Sequence, residues 1–413
     1  MKFFFPDSQD LVDPSFNFEL ETRREDRNRQ RDDLYAHEVF EMPPYDGILV
    51  SKSVVEGHGG SGGRYPLAQR HRFDREGVKS FMRLPDHVEA MGDCGAFSYV
   101  RESEPPVTVE EVAGFYQDHG FDCGASVDHI ILQYKQEWDH PLPGIDPVPD
   151  ECRERQQITL DYAEQFMAFH KGQRLGFEPI GVAQGWSPKS YADIVKNLQK
   201  LGYRYIALGG LVPLKSREIL DVLESVSSVK RPQTRLHLFG VTRLNHVKRF
   251  SEFGVVSFDS TSPLRQAFKE DKDNYYGSDR NYVAIRVPQV DVNPQLKRRI
   301  VAGEVDQTEA LRLERECLEG LQLFDRRRMK RGELVALLGE YQRLFNAKRD
   351  YTDDYDVLLK DRPWKDCSCD VCQAVGINVV IFRGAERNRR RGFHNVYVTF
   401  ERLKELRSAE AVA

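Results

Sequence analysis

The chain has 413 residues, 60 Lys and Arg against 65 Asp and Glu for a formal charge of −5, and 40% hydrophobic with 11% aromatic residues. That length excludes one small core and predicts a large domain with an appendage, or two domains. The charge argues against a globally basic nucleic-acid binder, and no apolar stretch approaches the roughly 20 residues of a membrane span.

Residues 1–45 open on Met1-Lys-Phe-Phe-Phe-Pro-Asp, an apolar run too short for a signal peptide. They continue charged and irregular and are expected to form an N-terminal wrap. Cys94, Cys123, Cys152 and Cys317 show no pairing pattern, which fits a reducing compartment; a cytoplasmic protein without a membrane partner is expected. From about residue 46, apolar β-branched runs recur at 47–51, 87–91, 123–127, 179–183, 205–208, 236–239 and 255–258, with 282–287 as an eighth candidate.

Helical patterns lie between several of these runs. In 187–202, Ser187 can cap, Pro188 suits the first helical position, Gly202 ends the helix, and Tyr191, Ile194, Val195, Leu198 and Leu201 share one face. Strand–helix alternation over about eight strands predicts a parallel α/β fold. Eight units favour a (β/α)8 TIM-type barrel over residues 46–290, with a doubly wound open sheet as the alternative.

After residue 290 the pattern changes. Segments 308–324 and 332–345 read as amphipathic helices of an inserted hairpin (291–348), joined by a basic turn at 325–331. Residues 349–413 are expected to form a C-terminal zinc-binding subdomain packed on the barrel. Its Cys367-Ser-Cys369-Asp-Val-Cys372, followed after 21 residues by His394, supplies three thiolates and one imidazole. These complete a tetrahedral zinc shell with no position left for water, so one structural zinc per chain is expected and the chemistry belongs elsewhere. Two charge runs stand out: Arg326, Arg327, Arg328, Lys330 and Arg331, and then Arg387, Arg389, Arg390 and Arg391. Such runs are either solvated faces or phosphate contacts, and zinc would fix the second in one pose.

In a barrel the reacting groups project from the carboxyl ends of the strands. Asp93, Asp128, Gln184, Gly209, Gly210, Gly240 and Asp259 all follow apolar runs. A lone Asp there is a helix cap; three acids on one rim point to a shared function.

Ordered motifs over about 46–398 resemble the tRNA-guanine transglycosylase superfamily. Asp93-Cys-Gly-Ala-Phe97 is similar to its Asp-Ser-Gly-Gly-Phe, and Asp122 to Asp128 matches its Asp-x5-Asp. Val182-Ala-Gln184-Gly185 resembles Val-Gln-Gly, Ala207-Leu-Gly-Gly-Leu211 resembles Ile-Gly-Gly-Leu, and Leu238-Phe-Gly240-Val241 resembles Met-Gly-Val. Phe258-Asp259-x3-Pro263-x-Arg265-x-Ala267 resembles the nucleophile segment, and the Cys/His cluster completes the set. The resemblance implies a zinc-bearing barrel that exchanges guanine for a free 7-deazaguanine base through a covalent sugar–enzyme intermediate. It makes Asp259 the nucleophile and Asp93 the general acid/base. Asp128, Gln184, Gly209, Gly210 and Gly240 would line the purine site, with Phe97 stacked on the base. Arg265, Arg387, Arg389, Arg390 and Arg391 would hold nucleic acid.

Cys94, Ala96 and Phe268 depart from the tRNA enzymes. The N-terminus, Tyr35-Ala-His37-Glu38 and Tyr45-Asp-Gly-Ile-Leu-Val-Ser51 resemble the DpdA-like, DNA-directed branch, which inserts 7-cyano-7-deazaguanine (preQ0). DNA is therefore the expected polymer, with tRNA, or a non-catalytic zinc-dependent nucleic-acid-binding partner subunit, as alternatives. An ATPase partner and a homodimer are left open by the resemblance.

Overall fold

A computed structural model of the protein describes residues 1–58, 61–140, 146–269, 272–346 and 348–412. Its eight principal strands are β1 (Lys2–Pro6), β2 (Gly47–Ser51), β3 (Glu89–Asp93), β4 (Cys123–Ala125), β5 (Glu178–Ala183), β6 (Tyr205–Leu208), β7 (Arg235–Leu238) and β8 (Val255–Asp259). They close into a parallel barrel in the order β1-β8-β7-β6-β5-β4-β3-β2. The α/β barrel expected from the alternation is therefore the observed fold, and the open sheet is not.

One strand differs from expectation. The run 282–287 does not enter the barrel: Asn281–Tyr282 pairs antiparallel with Tyr275–Tyr276, and Ile285–Arg286 pairs with Ile381–Phe382. The eighth place belongs to β1, inside the stretch read as a wrap. Phe3, Phe4 and Phe5 are all buried, because a strand covered on both faces needs no polar alternation. Phe4 pairs with Gly47 on one side and Asp259 on the other. Its ring lies 2.5 Å from where a Cβ on residue 47 would sit, so only glycine fits there.

The barrel interior is filled by Phe4, Leu49, Met91, Cys123, Ile180, Tyr205 and Ala207. Outside it run α1 (Leu67–Phe81), α2 (Val109–Asp118), α3 (Asp150–Gln173), α4 (Pro188–Leu201), α5 (Ser216–Ser227) and α6 (Val247–Glu252). The start of α4 is built as its sequence dictates: the Ser190 amide donates to Ser187 Oγ at 3.3 Å, Pro188 follows, and Gly202 ends the helix at φ 108°. Tyr191, Ile194, Val195 and Leu198 face inward.

The chain forms two compact units, residues 1–8, 45–261 and 402–413 in the first, and 9–44 and 262–401 in the second. The barrel is the first. The second holds α7 (Ser262–Gln266), α8 (Pro294–Val301), α9 (Gln307–Asp325), α10 (Arg331–Phe345), α11 (Thr352–Asp361), α12 (Asp370–Val375) and most of α13 (Gly384–Val412). The expected hairpin is α9 and α10, whose buried faces carry Leu313, Cys317 and Leu321 against Leu334 and Leu338. Among the described residues no helix is long and apolar enough to cross a membrane.

Candidate active site and metal centre

Barrel closure gathers the sequence-predicted acids at the carboxyl ends of the strands. Asp93 is the last residue of β3, level with Ser51 at the end of β2, and Ser51 Oγ donates to Asp93 Oδ2 at 2.7 Å. Burial pushes the Asp93 carboxyl above its ordinary value, against the Ser51 and Gly95 hydrogen bonds, and the nearby Asp259 charge adds to the rise.

Asp259 ends β8 and is buried. Its Oδ1 accepts the Gly240 amide at 2.9 Å and faces His237 Nε2 at 3.2 Å. His237, wholly enclosed on β7, places Nδ1 2.8 Å from Ser257 Oγ, which in turn meets Tyr205 OH at 2.5 Å. With Asp259 ionised and the imidazole neutral, one proton order satisfies this chain. Tyr205 donates to Ser257, Ser257 donates to Nδ1, and Nε2–H donates to the carboxylate. Both donors fall on Oδ1, and among the described residues none donates to Oδ2. The motif reading missed His237. Its only sequence signal is a polar residue inside the otherwise apolar run 236–239. Gly240, expected at the purine, gives its amide to Asp259; at φ 70°, with a Cβ position 2.6 Å from Val212, it needs glycine.

A second network surrounds Asp128. Gln184 Nε2 donates to Oδ2 at 2.7 Å and the Cys94 thiol donates to Oδ1 at 3.3 Å, while Tyr99 OH backs Cys94 Sγ at 3.1 Å. Burial pushes Cys94 up, which keeps its proton for donation. Burial, reinforced by the Asp93 charge, also pushes Asp128 up to about 7, against the Cys94 and Gln184 hydrogen bonds. Gly209 packs against Gln184, where a Cβ would lie 2.2 Å from Nε2; Gly210 is left-handed at φ 73°. Phe97 is 61% exposed, an open aromatic face beside Asp93 in the chain.

In the second unit, Cys367, Cys369, Cys372 and His394 bring all four donor atoms within 4.8 Å of one another. His394 Nδ1 lies 3.7, 3.4 and 3.4 Å from the three sulfurs in turn. These separations suit the edges of a tetrahedron with metal–sulfur bonds of about 2.3 Å and metal–nitrogen bonds of about 2.0 Å. His394 Nε2 lies 2.6 Å from the Tyr276 carbonyl and donates to it, which leaves the Nδ1 lone pair facing the sulfurs. Tyr275 stacks on the imidazole at 4.2 Å. The donor set fits a bound metal ion.

Two comparisons place the chain. It is 48% identical over 411 residues, 98% of its length and 97% of the relative's, to a DNA-guanine transglycosylase of Salmonella montevideo. The chain belongs to the DNA-guanine transglycosylase family. A tRNA-guanine(15) transglycosylase of Pyrococcus abyssi (strain GE5 / Orsay) is 25% identical over 178 residues, covering 41% of this chain and 27% of that protein. No protein-family profile matches the chain. Its family consists of glycosyl-transferring enzymes.

The arginine run of this transglycosylase requires a correction. Arg387, Arg390 and Arg391 do not form an open clamp: they are 3%, 6% and 0% exposed. Arg387 pairs with Glu21 and donates to the Phe18 carbonyl at 2.8 Å; Arg390 pairs with Glu386 at 2.6 Å. Arg391 donates to the Val379, Ile381 and Ala267 carbonyls and to Asn388, and burial without a carboxylate pushes it down to about 9. Half-buried Arg389 meets Asp10 at 3.1 Å. Arg387, Arg389 and Arg390 thus tie residues 9–44 to α13, and Arg391 is held by backbone carbonyls, since buried guanidinium groups need hydrogen-bond partners. Arg265, on α7, is exposed.

The metal centre is directly testable. Purified Cys369→Ser protein should contain less than about a tenth of the wild-type metal by elemental mass spectrometry, since a closed site loses its fit with one ligand. Full metal content in that variant would refute the ligand set.

Proposed function

We propose that this enzyme replaces guanine in DNA by a 7-deazaguanine, with preQ0 as the incoming base, through a glycosyl intermediate on Asp259. The observation that carries the chemistry is the asymmetric hold on Asp259: two donors on Oδ1 and, among the described residues, none on Oδ2. Oδ2 is the lone pair that attacks C1′ of the target nucleoside. The C1′–N9 bond breaks as Asp93, its pKa raised by burial, transfers its proton to the departing guanine. Asp93, now a carboxylate, takes a proton from the incoming base. That base attacks C1′ and displaces Asp259, so two inversions give net retention. Two acids in unlike surroundings thereby hold unlike protonation states. DNA as the polymer is supported by 48% identity to a relative named for DNA.

Asp128 and Gln184 read the purine edge of both leaving and incoming base, Gly209 and Gly210 admit the ring, and Phe97 stacks on it. His237 is a positioning residue that turns Oδ2 toward the sugar. Arg265 contacts phosphate. Zinc is the metal of the Cys/His centre, with one per chain in a structural role, and the setting is cytoplasmic.

The deciding experiment expresses wild type and Asp259→Ala with the deazaguanine supply intact and analyses nucleosides from DNA and tRNA separately by mass spectrometry. The expected result is deazaguanosine in DNA from wild type only. Its appearance in tRNA alone would overturn the DNA assignment, and its persistence in the variant would overturn Asp259 as nucleophile.

Free-base affinity should also depend on pH. The ionised Asp128 accepts the N–H donors of the guanine edge and its protonated form does not. Since its pKa is raised to about 7, binding is full above that value and weakens about tenfold per pH unit below it. Calorimetry with guanine from pH 5.5 to 8.5 tests this, and a flat profile would contradict the role.

For His237, His237→Phe should slow adduct formation about 100-fold, as a misplaced nucleophile does, with guanine affinity unchanged. His237→Gln, which can still donate to Oδ1, should recover part of the rate. Equal loss in both variants, or a weakened guanine affinity, would argue against positioning through Asp259.

A further inference from the structure

The turn joining α9 to α10 carries Arg326, Arg327, Arg328, Lys330 and Arg331, all exposed. Arg326 meets exposed Glu19 at 3.2 Å and Arg331 meets Asp356 at 2.8 Å. Such surface pairs are weak and yield readily to a better anion. Arg327, Arg328 and Lys330 have no ion pair among the described residues. The acids beside them in the chain are already engaged. Asp325 accepts from Trp364 Nε1 at 2.9 Å and Lys365 Nζ at 2.8 Å, and Glu333 accepts the Lys330 amide at 3.4 Å.

The backbone that presents these cations is well defined. The Arg327 amide donates to the Phe324 carbonyl at 3.0 Å and the Arg328 amide to Leu323 at 2.7 Å, closing the end of α9. Arg362 Nη2 adds bonds to the Phe324 and Asp325 carbonyls at 3.0 and 3.1 Å. Arg327 sits in the left-handed region at φ 59°, where helix ends favour glycine. A guanidinium thus stands where backbone preference would place no side chain. The amino end of α10, a 15-residue helix, starts at the same turn and adds partial positive charge.

We infer that this turn binds the sugar–phosphate backbone of duplex DNA. The inference rests on the reading of DNA as the polymer acted on. It moves the phosphate role from the run 387–391, whose guanidinium groups are internally paired, to an arginine-rich turn that keeps its charges in solvent. At no more than about 3.6 Å per residue, the cations from 326 to 331 lie within about 18 Å. They can therefore reach successive phosphates or both edges of a groove about 6–12 Å wide. Guanidinium groups fit phosphate bidentately. Contacts of this kind fix position without reading sequence.

The test is binding of a fluorescent duplex by anisotropy across a salt series, with full-length protein. The triple variant Arg327→Gly/Arg328→Gln/Lys330→Gln should bind on the order of 10- to 100-fold more weakly at about 0.1 M salt. Its slope of log affinity against log salt should be shallower by about 2–3, from three lost phosphate contacts. The double variant Arg327→Lys/Arg328→Lys keeps the charges and should retain most of the slope. Arg327→Gly alone should weaken binding while leaving the melting temperature unchanged or higher, because glycine relieves the left-handed backbone; a merely structural arginine would lower it. Wild-type affinity and slope in the triple variant would overturn the inference, as would an equal loss in the charge-preserving variant. Failure of the wild type to bind duplex would remove the DNA reading itself, and this turn's role with it.

Discussion

Parallel pairing of Lys2–Pro6 between the first and last strands of the remaining series is the contact on which the site depends. Without it, β2 and β8 would be two open edges, each exposing unpaired backbone groups. With it, Phe4 lies level with Gly47 on one side and Asp259 on the other. Ser51 with Asp93 and His237 with Asp259 then become neighbours across one mouth, although they come from opposite ends of the strand series. The effect of the Asp259 charge on the Asp93 carboxyl follows directly from this closure.

Two carboxylates brought so close would share one behaviour if their surroundings were alike. They are not. Asp93 is half-buried and has a hydroxyl and an amide as helpers; Asp259 is buried and has an amide and an imidazole on a single oxygen. The difference arises on neighbouring strands, since His237 and Ser257 stand beside each other on β7 and β8. Asp128 adds a third environment, in which a thiol and a side-chain amide are the donors. Differences of hydrogen bonding and burial give chemically equal side chains unlike environments.

The two arginine runs show how much depends on where charge ends up. Arg387, Arg390 and Arg391 lie inward on α13, where Glu21, Glu386 and backbone carbonyls absorb their donors. Glu21 illustrates the balance: burial alone would push its carboxyl up, yet the hydrogen bond and charge of Arg383 and the charge of Arg387 hold it near 2. At the α9–α10 turn the cations outnumber nearby acids and remain in solvent. Both runs are arginine-rich; the carboxylates and backbone carbonyls that the fold brings to Arg387, Arg390 and Arg391 make the difference.

Local signals determined a good deal. Helix α4 was legible from Ser187, Pro188 and Gly202 because capping and backbone preference act within a few residues. The hairpin helices were legible from their period, the metal centre from the close Cys spacing, and the rim acids from their place after apolar runs. Tertiary structure alone decided which run closed the barrel, since Phe3–Phe5 and 282–287 are both short, mainly apolar runs and pairing distinguishes them. It also decided which arginines reach solvent, and it turned His237, a polar residue within a strand, toward Asp259. Each of these outcomes depends on contacts between residues far apart in the chain, and such contacts leave no trace in local spacing or composition.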